Sequence, residues 1–172
     1  MRKLQIGVIG SCLDLDLSED TIKCAQQLGK LIAESGDILV FGAEKDIDSL
    51  PTVAAKSAIR SGGITVGMTY EKGMNLFDNK AASIVIATGL VRGGGRELSL
   101  MLSCDVVIAV AGGSGTLNEI CIAYQANIPV IIIKGYGGWS DKLSGTFLDE
   151  RIRYRFEYAN TAKQALDKAR LI

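Results

Sequence analysis

Asp105–Val110 (DVVIAV) is a short run of apolar, mostly β-branched residues without a polar alternation. A run of that kind suits a strand covered on both faces, the situation of a parallel sheet packed between helices. It passes straight into Ala111-Gly112-Gly113-Ser114-Gly115-Thr116, where the glycines allow a tight turn and a close backbone approach to a ligand. Thr116 is read as opening a helix with Leu117, Ile120, Cys121 and Tyr124 on its inner face. Glu119, half a turn off that stripe, is expected at the mouth of the turn or in solvent and not in the core.

The same alternation runs through the chain. Leu4–Gly10, Ile38–Phe41, Ile64–Met68, Ser83–Ala87 and Pro129–Ile133 read as further strands, with Phe156–Tyr158 as a short last one. Ser18 caps a first helix that carries Glu19 and Asp20 at its positive end, buries Ile22, Ala25, Leu28 and Ile32, and stops at Gly36. Pro51 starts a second helix and Gly62-Gly63 ends it. A third lies near Arg96–Ser103, with Leu98, Met101 and Leu102 as its apolar side, and a last one covers Ala162–Arg170. Gly135–Thr146 reads as a loop. The pattern predicts one α/β domain over 1–172: a doubly wound, Rossmann-like parallel sheet of about six or seven strands in a three-layer α/β/α arrangement. Ligands of such sheets sit at the carboxyl ends of the strands, where the glycine turns after the first, fourth and fifth strands converge.

Composition narrows the chemistry. The 172 residues are 48% hydrophobic, enough for a sizeable core. No apolar run approaches the ~20 residues of a membrane span, and LQIGVIG after Arg2-Lys3 reads as a first strand and not a leader. Zero net charge speaks against an obligate nucleic-acid binder. The four cysteines show no zinc or redox spacing and fit free thiols of a reducing cytoplasm. The chain contains no histidine, so Ser-His-Asp, Cys-His and His-ligated metal chemistry are excluded, and no metal site is expected. Arg151–Arg155 alternates basic and apolar residues; it reads as a charged edge segment, with a nucleic-acid backbone as the alternative partner. Ile122 lies off the inner stripe and is expected to bury a subunit contact in a homodimer or higher homo-oligomer.

A helix N-terminus behind a glycine turn is a ready phosphate site, so a phosphate-bearing small molecule is the expected partner. Gly112, Gly113, Ser114, Gly115 and Thr116 are its candidate ligands, with Gly10, Ser11, Gly42, Gly94, Gly95 and Trp139 as candidate lining. Trp139, amid glycines, serves equally well as a cap on the sheet.

Arg96, Asp105 and then GGSGTLNE ending at Glu119 resemble the signature of the cytokinin-activating phosphoribohydrolase ("Lonely guy") superfamily, once labelled possible lysine decarboxylases. The signature runs Arg-Lys, a strand beginning near an Asp, then Pro-Gly-Gly-x-Gly-Thr-x-x-Glu. The resemblance is strongest over Arg92–Trp139 and is closest to a shorter branch that includes molybdenum-cofactor carrier proteins. It extends more faintly to a DNA-processing protein that loads recombinase on single strands. It implies a nucleotide phosphate held at Gly112–Thr116, and Arg96 with Glu119 as the catalytic pair of hydrolase members. A carboxylate beside a ribose–base bond can stabilise the positive charge that its cleavage builds, and an arginine can hold phosphate with two hydrogen bonds. Hydrolysis of a nucleoside 5'-monophosphate in this way requires no cofactor. The carrier branch implies instead a bound molybdenum cofactor or nucleotide without turnover.

The chain departs from the signature in three places. Glu97 replaces the lysine after Arg96, Ala111 replaces the proline in what reads as a mild change, and the loop after the second strand is FGAEKDIDSLPTVAAK. That loop keeps only Gly42 and brings Glu44, Asp46 and Asp48 to a place where phosphate would be repelled. Either it points away, or the ligand is not a simple nucleoside monophosphate.

Overall fold

The computed structural model of the chain describes residues 2–14 and 16–172. Among them, seven strands form one sheet: β1 (Gln5–Gly10), β2 (Ile38–Gly42), β3 (Ile64–Thr69), β4 (Ile84–Ala87), β5 (Val106–Val110), β6 (Val130–Ile133) and β7 (Glu157–Ala159). Their order is β4-β3-β2-β1-β5-β6-β7 and every pairing is parallel. Six helices cover it: α1 (Glu19–Glu34), α2 (Leu50–Arg60), α3 (Gly95–Leu102), α4 (Ser114–Gln125), α5 (Gly138–Leu143) and α6 (Ala162–Ala169). Helices α1, α2 and α6 pack over one face around Leu28, Ile32, Leu39 and Phe41, and α3, α4 and α5 over the other around Val40, Leu100, Ile120 and Tyr124. This is the three-layer Rossmann-like arrangement expected from the continuous apolar strand runs.

Local chemistry sets the helix starts. Ser18, Ser49 and Thr161 accept hydrogen bonds from the N–H groups of Thr21, Thr52 and Gln164 and so cap α1, α2 and α6. Pro51 lies in the first turn of α2. Helices α3 and α4 start on Gly94 and Gly113 with no side-chain cap; at α3 the Arg96 N–H turns back to the Val91 carbonyl at 3.3 Å, whereas at α4 the first N–H groups are left open.

Chain order places the cleft. From β1 the chain turns to β2 on one side, and from β5 to β6 on the other, so the loops leaving these adjacent strands diverge. A crevice opens between them at the carboxyl edge. The chain leaving β4, at the far edge, crosses back through residues 88–94 to α3, which packs against β2, β3 and α4.

Five details differ from the sequence reading. Thr116, Glu119, Ile120, Ala123 and Tyr124 form the buried side of α4, while Leu117 and Cys121 are only partly covered. Ile122 is half-buried and packs on the same core, so it is not a free apolar knob. On α3 the inward residues are Arg96, Glu97, Leu100 and Met101, and Leu98 and Leu102 stand exposed at 47% and 59%. The stretch read as the loop Gly135–Thr146 contains α5, and the last strand sits one residue later than expected.

Arg151–Arg155 precedes the edge strand β7. Tyr154 stacks with Tyr124 and Phe156 and donates its hydroxyl to the Ile128 carbonyl, so it is committed to the interior and not to a stacking platform. No helix among the described residues is long and apolar enough to cross a membrane.

Candidate functional site

The crevice is an open cleft of about 470 Å³. One wall is the loop after β1, Gly10 to Asp14; another is the start of α4, Gly113 to Glu119; the third carries Arg92, Gly93, Arg96 and Glu97. Glu44 and Ile47, from the loop after β2, close it from the side.

Backbone shape governs the α4 wall. Ala111 and Gly112 both take left-handed conformations, φ +55° and +104°. A proline cannot adopt that φ, so Ala111 in place of the signature's proline is not a mild change: it belongs to a differently folded turn. The Thr116 side chain fills the space where a Cβ on Gly112 would lie, at 2.5 Å. A Cβ on Gly10 would stand 2.5 Å from the Val110 carbonyl oxygen, so glycine is what lets β1 end against β5. The Gly112 N–H donates to the Ser11 hydroxyl at 2.9 Å, which ties the two loops together and takes that N–H out of ligand binding. Gly113 and Gly115 face open space. From behind, the N–H groups of Trp139 and Ser140 donate to the carbonyls of Gly112 and Ala111 at 2.9 and 3.2 Å.

Of the residues singled out from sequence, Arg96, Glu119, Gly113, Ser114, Gly115, Thr116, Gly10 and Ser11 come together in the cleft. Gly42 lies beneath it, lining a hollow of about 40 Å³ shared with Arg96 and Glu119. Gly112 is a buttress whose amide is used internally. Trp139 packs behind the turn, under the Lys142 ammonium, and does not line the cleft. Gly94 and Gly95 also lie outside the lining; Gly95 packs against Leu90 and Gly93 takes the expected place. Sequence reasoning missed Arg92, Cys12 and Asp14. The signal for Arg92 was available, since it opens the glycine run that leads to Arg96.

Arg96 is the centre of the charge arrangement. Its side chain is 4% exposed. Nη2 donates to Glu44 Oε1 at 2.8 Å and to Glu97 Oε1 at 3.0 Å, Nε donates to Glu97 Oε1 at 3.2 Å, and Nη1 reaches the Met68 carbonyl at 3.5 Å. The other oxygen of Glu44 pairs with Arg92. The acidic loop therefore does not point away: its first carboxylate bridges both arginines. Gly42 makes room for this, because a Cβ there would stand 2.1 Å from Nη1 of Arg96. The loop is fastened by Tyr70 donating to Asp46 at 2.7 Å and Lys56 to Asp48 at 3.0 Å.

The titration of these groups follows from burial and neighbours. Burial works hardest on Arg96 and would lower its pKa, but Glu44, Glu119 and Glu97 together outweigh it and the value rises. Burial pulls Glu97 upward, yet Arg96 and backbone N–H groups hold it below the usual carboxylate range. Glu119 goes the other way: burial, reinforced by Glu97 and Glu44 against the pull of Arg96, pushes it up to about 8. At neutral pH it is mostly a carboxylic acid that can donate a hydrogen bond. Burial and then Glu44 also raise the Cys12 thiol, which keeps it from being a reactive thiolate.

Known proteins share this architecture. The sequence model described as the SLOG cluster4 family covers residues 3–166. An uncharacterised protein of Archaeoglobus fulgidus is 35% identical over 134 residues, 78% of this chain and 82% of that one. The X-ray structure of the structural-genomics target TM1055 superposes with TM-score 0.87 at 26% identity, covering 98% of this chain and 99% of that one. The molybdenum cofactor binding protein of Rippkaea orientalis gives TM-score 0.82 at 29% identity over 99% and 98% of the two chains. The molybdenum cofactor carrier protein of Chlamydomonas reinhardtii gives 0.80 at 30% over 99% and 100%.

Proposed function

Because the chain belongs to the SLOG cluster4 family, and because its buried arginine is spent on its own carboxylates, we propose that it holds a phosphorylated small molecule without turning it over, and that molybdenum cofactor is the molecule. The observation that carries this reading is the Glu44–Arg96–Glu97 cluster. A guanidinium has five N–H donors, and Arg96 directs its hydrogen bonds at Glu44, Glu97 and the Met68 carbonyl. Little remains with which to polarise a substrate. The open N–H groups at the start of α4, between Gly113 and Gly115, take the terminal phosphate, assisted by the positive end of the helix. The rest of a phosphorylated pterin lies along the cleft toward Ser11, Cys12 and Asp14, a volume of the size that drug-like ligands fill. The likeness to two structures described as binding or carrying molybdenum cofactor, each over nearly the whole chain, supports the assignment.

Titration of the protein with molybdenum cofactor under anaerobic conditions tests it. The expected result is a saturable rise in melting temperature, lost when Gly115 is replaced by Asp; no shift, or an equal shift in Gly115→Asp, overturns it.

One observation favours a hydrolase as the second reading. Glu119 faces the cleft next to Arg96, in the pairing that N-glycosidic hydrolysis of a nucleoside 5'-monophosphate would use. Incubation with AMP, CMP, GMP and UMP decides between the two. Free base released by the wild type and not by Glu119→Ala would replace the carrier reading. Exposure alone suggests a site of assembly: Leu98 and Leu102 of α3, with Ile84 and Ile86 of β4 on the same side of the sheet, are proposed as a contact between copies of the chain.

A further inference from the structure

We infer that Glu44 is a specificity-determining residue: by occupying Arg92 and Arg96 together, it leaves the cleft a single anion-binding end, at α4, and so restricts the ligand to one carrying a lone phosphomonoester. The inference rests on the proposed reading for the α4 end but adds a separate statement about the opposite wall.

The geometry is that of a ligand site already filled from within. A carboxylate lying between two guanidiniums, one oxygen to each, presents the arrangement by which arginine pairs seize phosphate or carboxylate groups. Here the carboxylate belongs to the chain. It is held in place through its own loop: the Glu44 carbonyl accepts the Phe77 N–H at 2.6 Å, the Ala43 N–H donates to the Met68 carbonyl at 3.0 Å, and the Leu13 N–H donates to the Asp48 carbonyl at 2.8 Å. Arg92 is further seated over the Tyr70 ring, 5.2 Å from its centroid, and Tyr70 is in turn bonded to Asp46. The wall is therefore built, not a chance contact of long side chains.

Charge counting gives the consequence. Four carboxyl groups, Asp14, Glu44, Glu97 and Glu119, line the cleft against two guanidiniums. Even with Glu119 protonated, the lining is not net positive. An anion approaching the arginine wall must displace Glu44 and leave a 9%-exposed carboxylate without its partners, which is costly. An anion approaching α4 meets open backbone N–H groups and has no ion pair to displace. A pyrophosphate, a nucleoside diphosphate or a dinucleotide would need a second cationic grip, and Glu44 withholds it.

Calorimetric titration of wild type and Glu44→Gln with inorganic pyrophosphate, GMP and GDP tests this. The neutral amide keeps the shape of Glu44 while leaving Arg92 without its carboxylate and Arg96 with Glu97 alone. The expected result is that Glu44→Gln binds pyrophosphate and GDP at least about ten-fold more tightly than wild type, with GMP changed by much less. Absence of that gain overturns the inference. A wild type that prefers GDP to GMP also overturns it. Should Glu44→Gln not fold, wild-type crystals soaked in pyrophosphate decide the question: arginines still on Glu44 support the inference, and Arg92 or Arg96 turned onto the anion defeats it. Failure of the carrier reading is recognised separately, by wild type that gives no response to molybdenum cofactor while Glu44→Gln still gains pyrophosphate.

Discussion

A guanidinium 4% exposed stays charged, and burying it is tolerable only while its counter-charges stay in place. Arg96 depends on Gly42 for that, since any β-carbon at position 42 would push on Nη1 from 2.1 Å and on Cζ from 3.0 Å. The far end of an arginine is usually free to swing aside, but this one is bound to Glu44 and Glu97 and has nowhere to go. Gly42→Ala is expected to cost about 2–4 kcal/mol, the range for disturbing a buried charge pair, read as a lower midpoint in urea unfolding. Glu119 provides the second residue-scale prediction. Its folded value of about 8 lies above its ordinary 4.5, so between these limits the folded chain retains a proton that the unfolded chain has released. Stability from this group is full below the lower limit and is lost as pH climbs through the upper one, with a slope of up to about 1.4 kcal/mol per pH unit. Glu119→Gln stays neutral and removes the slope. Urea midpoints of the two proteins should therefore separate in favour of Glu119→Gln from pH 5 to pH 8; parallel curves would refute the buried-acid description.

Among the elements, the turn from β5 into α4 carries the most information. The left-handed backbone of Ala111 costs about 1 kcal/mol relative to a right-handed one, and it is held there by the α5 amides that donate to Ala111 and Gly112. Ala111→Gly should lie within about 1 kcal/mol of wild type, because relief of strain is set against added freedom in the unfolded chain. Ala111→Pro should lose about 3 kcal/mol or more and close the cleft, seen as a lower melting temperature together with lost ligand response. The elements also mark how far the sequence can be read. Ser18 and Pro51 act within one turn of where they stand, and they locate α1 and α2. The inner face of α4 escapes a reading by hydropathy because Leu117 and Cys121 are the more apolar choice, whereas Glu119 is drawn inward beside Arg96, a tertiary partner. Glu44 meets Arg96 across 52 residues of sequence, and no local pattern announces such a pair. Helix α5 is short, begins on glycines and shows no periodicity to betray it.

For the whole molecule, the parallel sheet between two helix layers was legible, since continuous apolar strands separated by helices allow few other layouts, whereas the strand order with its switch between β1 and β5 came from the structure. The proposed contact between copies of the chain lies on α3 and β4. Leu98 and Leu102 lie one helical turn apart, and Ile84 and Ile86, 51% and 43% exposed, sit on the strand that ends the sheet on that side. Exposed apolar groups gathered on one side of a sheet, unlike single scattered ones, mark an interaction surface. Sedimentation of the wild type at micromolar concentration should show a dimer or larger species, and Leu98→Lys with Leu102→Lys should sediment as a monomer; a monomeric wild type would remove this face from consideration.

The amides that open the cleft at Gly113, Ser114 and Gly115 belong to the main chain, and no side-chain exchange at Ser114 short of proline can delete them. On the carrier reading, cargo selection falls by contrast to replaceable groups such as Glu44 and Arg92. A lineage built on this scaffold can thus retool what it carries one codon at a time while the handle by which it grasps stays inherited.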